Sequence, residues 1–364
     1  MAETVQFPNT ASTSLPSASD AKAVRSVRQL ADFGFISTES AGEIAKVCDE
    51  FSLAITSDVV DLIDPSDPAD PLARQFVPDP RELMTRPVEL LDPIGDDPYT
   101  PIEGITHRYP DRVLLKPVHV CPVYCRFCFR REKVGVGGDG ALSGAQLEAA
   151  LNYIRDHRQI WEVILSGGDP LILSPRKMKS IVAALDEIGH VKIIRIHSRV
   201  PVVDPDRISD DMIESLKVKT PVYVAVHANH ADEFGPKARR AVAALVDAGI
   251  PLVSQSVLLR GVNDNAEALT NLFRTLLENR IKPYYLHHGD LARGTSHFRT
   301  TIREGQELLR AVRGHISGMC QPHYVLDIPG GWGKVPIGPG YLRESPDGYI
   351  VADYQGNEHA YDDQ

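Results

Sequence analysis

Three cysteines, Cys121, Cys125 and Cys128, fall within eight residues of the run "HVCPVYCRFCFRREK". Three thiols cannot close into an even set of disulfides, and a structural zinc asks for four ligands, usually as two separated pairs. The other two cysteines, Cys48 and Cys320, are remote in the chain. A cubane iron–sulfur cluster has four irons, so three thiolates on a C-x3-C-x2-C spacing leave one iron open for a small molecule. A zinc-stabilised binding protein without catalysis is the alternative reading.

Two glycine-rich runs carry further candidates. In "ILSGGDP", Ser166, Gly167, Gly168 and Asp169 follow a strand; they make either a plain turn or a place where the amino-acid end of a ligand comes close, with Asp169 ready to pair an ammonium. "DIPGGWGKVP", residues 327 to 336, is not a phosphate loop, because Ile328 stands where the first glycine is needed and Val335 follows the lysine. Lys334 then belongs either to a surface turn or to an amine that condenses with the aldehyde of pyridoxal phosphate. His227 and His230 in "HANH", and His287 and His288 in "HHGD", stand at strand ends; with no further ligand set at metal spacing they are expected to line a pocket, as is Asn229.

The elements that must position these residues alternate. Short β-branched runs begin near Arg112, Trp161, Val191, Pro221, Pro251 and Lys282, the last five about 30 residues apart, which is one strand plus its crossover helix. Between them lie helices. One opens at Ser143 with Gln146 as a capping box and an apolar stripe of Leu147, Leu151 and Ile154; another has Ser174 as N-cap and Pro175 at its first position. Six such units predict an α/β protein with a parallel sheet, either open and doubly wound or curved into a barrel, with ligands gathered where strands end.

Four regions are expected: a helical N-terminal region over 1–65, a Pro/Asp-rich extended connection over 66–105, the main domain over 106–340 and a C-terminal tail over 341–364. The first residues are polar and Ser/Thr-rich, which reads as a loose leader and argues against secretion. A net charge of -10 and a pI near 5.7 speak against nucleic acid and anionic membranes as partners. No run of 18 apolar residues occurs, and a cluster of unpaired cysteines suits a reducing cytoplasm.

The runs "THRYPDRVLL", "CPVYCRFCFRR", "LSGGDPL", "SQSVLLRGVND", "HFRTTIREGQELLRAVRGHISG" and "VLDIPGGWGKVP", in that order over roughly residues 90 to 345, resemble lysine 2,3-aminomutase and its relatives in the radical S-adenosylmethionine superfamily. The resemblance implies a partial (β/α)6 TIM-like barrel with a helical N-terminal extension. It implies three cofactors: a [4Fe-4S] cluster on Cys121, Cys125 and Cys128, S-adenosylmethionine on its open iron with Ser166, Gly167, Gly168 and Asp169 around the methionine end, and pyridoxal 5′-phosphate on Lys334. Arg108, Tyr109 and Arg112 match residues near the cofactor phosphate, with surface ion pairing as their plainer reading. Arg130 matches the clamp of the substrate carboxylate, and Asp290 and Asp327 match the carboxylates that hold the ε-ammonium of lysine. Arg126 and Arg131 are left to balance the cluster charge or to face solvent.

The implied activity is the isomerisation of L-lysine to L-β-lysine, with a flavodoxin- or ferredoxin-type electron donor and a homo-oligomeric assembly. The same chemistry on another amino acid such as arginine, or formation of β-lysine for modification of elongation factor P, is the alternative. Relatives with a structural zinc carry cysteines near the C-terminus; the tail has none, so the resemblance does not extend to that site and leaves a structural zinc open.

Overall fold

Helices α1 (Val27–Asp32), α2 (Ala41–Glu50), α3 (Ser57–Val60) and α4 (Ala73–Phe76) open the computed structural model, which describes residues 23–135 and 140–363. The expected leader lies outside the described residues. The Pro/Asp-rich connection is a chain of turns and single-turn helices rather than an extended strap. Leu72, Gln75 and Phe76 of its single-turn helix are buried, and so is Glu82 in a tight turn over Pro80–Leu83 that Asp79 caps. This segment therefore brings four buried polar side chains, Asp70, Gln75, Glu82 and Asp96, into the interior.

Nine strands follow in one sheet in sequential order: β1 (Ile105–Tyr109), β2 (Arg112–Val118), β3 (Glu162–Gly167), β4 (Ile193–Ser198), β5 (Val222–His227), β6 (Leu252–Val257), β7 (Ile281–His287), β8 (His323–Ile328) and β9 (Gly333–Pro336). The pairs from β2 to β8 are parallel, while β1 and β9 run antiparallel at the two edges. Helices α5 (Gly144–Asp156), α6 (Pro175–Asp186), α7 (Val200–Val203), α8 (Asp210–Ser215), α9 (Pro236–Asp247), α10 (Ala266–Glu278) and α11 (Ile302–Val312) fill the crossovers, so β2 to β7 each begin one βα unit. This is the expected six-unit partial barrel, extended by a seventh parallel strand, β8, that the sequence reading left outside the units.

Ser143 and Gln146 form the capping box of α5, and the Ser174 hydroxyl accepts the N–H of Lys177 at the start of α6. Strand alternation sorts side chains: Ile194 and Ile196 of β4 are buried in the core, while Arg195 and His197 face the lumen. The last residues do not form a plain tail. Strands β10 (Leu342–Ser345), β11 (Gly348–Ala352) and β12 (Glu358–Tyr361) make a separate antiparallel meander.

Candidate active site

The barrel lumen holds a cavity of about 420 Å³. Lys334 reaches it because β8 and β9 form a hairpin whose register sets Asp327 directly opposite Lys334. The turn needs Gly331: its φ is +84°, and a Cβ there would sit 2.3 Å from the Tyr99 ring. The Lys334 ammonium donates to the Asp327 carboxylate and lies 3.2 Å from His287 Nδ1. Burial keeps His287 below its ordinary pKa, reinforced by the Lys334 charge, so the ring is neutral. Burial pushes Asp327 up, but the His287 hydrogen bond and the Lys334 charge win and hold it well below the usual carboxylate range.

Asp290 lines the same cavity, and no hydrogen bond or ion pair meets its carboxylate among the described residues. Burial and then the nearby Asp327 charge push it up to about 7. Arg130 enters from the loop after Cys128 and is held by an acid that sequence reading missed: Asp96 accepts from Arg130 at 2.9 Å and from Arg108 at 2.9 Å. Burial raises the Asp96 pKa, yet Arg130, Lys116 and Arg108 outweigh it and keep the group ionised. Arg108 also donates to the Ile94 carbonyl, so it is partly spent as a strut. Arg112 lies over the Tyr109 ring at 3.7 Å and pairs only with exposed Asp111, which leaves it the freer cation toward the lumen.

The other lumen groups come from the same faces of their strands. His227 meets Gln255 at 2.9 Å, Gln255 lies 3.3 Å from His197, and Arg195 pairs with Glu162 at 3.0 Å. Burial holds both rings neutral, His227 down to about 3. Sequence reading found His227 and His287 but missed His197, Gln255, Arg195 and Glu162; the available signal was a polar residue at every second position of an otherwise apolar strand. His230 and His288 do not line the cavity: His230 caps a tight turn and His288 bonds the Tyr324 hydroxyl. Asn229 is likewise buried away from it.

The three cysteines lie on the loop after β2 and line a second, smaller cavity of about 50 Å³. Cys128 and Arg131 face this cavity while Phe129 and Arg130 face the lumen, so the two spaces adjoin through four consecutive residues. Burial raises the Cys121 thiol and pushes Cys128 up to about 11. Arg126 and Arg131 do not face solvent; both are buried on the carboxylate of Glu82.

The "SGGD" run divides. Ser166 lines the lumen, 3.4 Å from Arg130. A Cβ on Gly168 would lie 2.2 Å from the Val120 carbonyl, and one on Gly167, at φ +102°, 2.7 Å from the Val118 carbonyl. The glycines thus let the cysteine loop cross the strand end. Asp169, expected to face a ligand ammonium, instead accepts from the Ser198 hydroxyl at 2.7 Å and from the N–H groups of Leu171, Arg199 and Val200. It is fully used in joining the β3 and β4 ends.

A partial barrel with a three-thiol loop on its first parallel strand and a reactive amine in the adjoining lumen defines a radical S-adenosylmethionine enzyme. The profile of the Radical SAM superfamily matches residues 115–273, and that named Lysine-2,3-aminomutase matches 309–364. The chain is 39% identical over 334 residues to L-lysine 2,3-aminomutase of Fusobacterium nucleatum, covering 92% of this chain and 78% of that one. It is 40% identical over 334 residues to the L-lysine 2,3-aminomutase of Clostridium subterminale, covering 92% and 80%. To glutamate 2,3-aminomutase of Clostridioides difficile it is 37% identical over 281 residues, covering 75% and 66%. The chain belongs to the lysine 2,3-aminomutase family, and it is an isomerase.

Membership brings a [4Fe-4S] cluster, S-adenosylmethionine and pyridoxal phosphate, and the residues fit them. Three free thiols share one small cavity, the donor set that a cluster with one open iron asks for. The lumen has room for an aromatic phosphate beside an amino acid, with an amine at Lys334 and an available guanidinium at Arg112.

Proposed function

We propose that the chain converts L-lysine to L-β-lysine, with pyridoxal phosphate carried on Lys334. The observation that carries the substrate is Asp290, an acid facing the lumen without a cation of its own. A substrate ammonium beside Asp290 and Asp327 would be doubly compensated, whereas a side-chain carboxylate would meet two like charges. Arg130, braced by Asp96, offers its remaining donors to the substrate carboxylate.

When bound, the cofactors supply reversible hydrogen-atom abstraction and a carbonyl carbon that can hold nitrogen while it moves between neighbouring carbons. The chain's own contribution is placement. Lys334 anchors one partner, Arg130 and the acid pair fix both ends of the substrate, and the neutral His197, His227 and Gln255 line the wall without offering an ionised group. His287 and Asp327 hold the Lys334 side chain so that its nitrogen faces the lumen.

A one-electron donor of the flavodoxin or ferredoxin class completes the requirement, and five free thiols suit a reducing cytoplasm. No helix among the described residues is long and apolar enough to cross a membrane. The test is an anaerobic incubation of the reconstituted protein with dithionite and S-adenosylmethionine, offering lysine, arginine and glutamate in parallel with product identification by mass and retention. β-Lysine is expected. Turnover of arginine or glutamate with none of lysine refutes the substrate assignment.

A further inference from the structure

Arg199, the residue after β4, turns away from the lumen toward the cysteine loop and is only 6% exposed. Its Nη1 lies 2.8 Å from the sulfur of Cys125. Nη2 donates to Glu233 Oε2 at 2.8 Å and to Gln75 Oε1 at 2.5 Å, and the guanidinium carbon stands 4.5 Å from the centre of the Phe76 ring and 5.4 Å from that of Phe127. The partners are themselves fixed. Glu233 Oε1 takes the N–H groups of Asn229 and His230, and Gln75 receives the Asn229 amide. Arg199 Nε is buried without any partner, a donor that the protein leaves unanswered.

Among the described residues, no other side chain is hydrogen-bonded to a sulfur of the trio. Burying a guanidinium is costly, and Glu233 would compensate Arg199 without any sulfur contact. A neutral thiol is a weak acceptor, whereas a thiolate on iron carries charge that a guanidinium can stabilise. We propose that Arg199 is a positioning residue that sets the reduction potential of the cluster through its hydrogen bond to the Cys125 sulfur. The inference rests on the cluster being held by the three cysteines. The step concerned is entry of one electron from an external one-electron reductant; no bond or proton moves, and Arg199 stays charged. A donor and a positive charge at the ligand sulfur stabilise the more negative, reduced cluster and so raise its potential.

The test uses full-length protein reconstituted with iron and sulfide, without S-adenosylmethionine or pyridoxal phosphate, titrated with dithionite and followed by electron paramagnetic resonance. Arg199→Gln is expected to keep its iron, while its ratio of reduced to oxidised cluster at a fixed potential falls about tenfold, a shift of about 59 mV for one electron. Arg199→Lys should fall between. Full iron with an unchanged midpoint in Arg199→Gln overturns the proposal. Should Arg199→Gln fail to fold or to hold iron, wild-type protein carrying arginine labelled with 15N in the guanidinium group alone decides. A 15N hyperfine coupling to the reduced cluster upholds the contact, and its absence refutes it. Wild-type protein that takes up no iron would instead refute the cluster reading, and this inference with it.

Discussion

The hydroxyl oxygen of Tyr109, at the end of β1, accepts the backbone N–H of Lys334 on β9 at 2.7 Å. The two residues sit on the opposite edges of an open sheet, so this one bond spans the seam at the residue that carries the reactive amine. Tyr109 thus places Lys334.

Tyr109→Phe should leave that N–H without its acceptor, at a cost of about 1–2 kcal/mol, or roughly tenfold in pyridoxal phosphate affinity. An absorbance titration of the cofactor reads this directly, and iron content should not change. Unaltered affinity would show that the seam bond does not hold the lysine.

Under the proposed function Lys334 and Cys125 serve separate cofactors, and they line adjoining cavities, so their losses should separate. Lys334→Ala is expected to abolish the pyridoxal absorbance of the reconstituted protein while retaining iron and sulfide. Cys125→Ala should do the reverse, and both should lack turnover. Visible spectra and metal analysis of the two variants check this.

Asp290, pushed up to about 7 by burial and then by Asp327, is largely neutral at pH 6. An ammonium placed beside it requires the ionised form, so lysine affinity should weaken about tenfold per pH unit below 7 and level off above it. Asp290→Asn should remove that slope. In the ligand-free protein the sign is opposite. A carboxyl raised above its unfolded value adds stability that is complete below about pH 4 and lost as pH rises through 7. Thermal midpoints of wild type and Asp290→Asn across that window should therefore lie close together at the acid end and diverge as pH rises, with wild type the less stable above pH 7.

Glu82 accepts from Arg126 at 2.7 Å and also carries Arg131, all three buried. Glu82→Gln leaves two cations without their counter-charge, a loss of about 3–5 kcal/mol for a broken buried pair. Urea denaturation should show the drop, with iron uptake falling in parallel because both arginines belong to the cysteine loop. A midpoint within error of wild type would mean the pairs are not formed.

Much of this was legible in the chain itself. The thiol spacing, the βα period, the Ser143 and Ser174 caps and the lysine after a glycine turn are local, because each depends on residues within a few positions of one another. β8 and β9 were harder. β8 is a seventh parallel strand, and β9 is four residues long and sits inside a run whose three glycines read as a loop. The C-terminal meander was read as a tail for a similar reason: its three strands have four, five and four residues, too few for a firm alternation.

By itself the sequence determined which elements form and which reactive groups they carry, since propensity, capping and ligand spacing act over one or two turns of chain. Only the tertiary structure decided what each group does there. Asp96 braces Arg130 across 34 residues, Glu82 meets Arg126 across 44, and Gln75 reaches Arg199 across 124. Asp169 became a joint between strands because the ends of β3 and β4 lie side by side, whereas Asp290 stayed available because, among the described residues, no cation is hydrogen-bonded to it. A carboxylate's role follows from the charges and dipoles it faces once water is excluded, and chain closure alone chooses those neighbours.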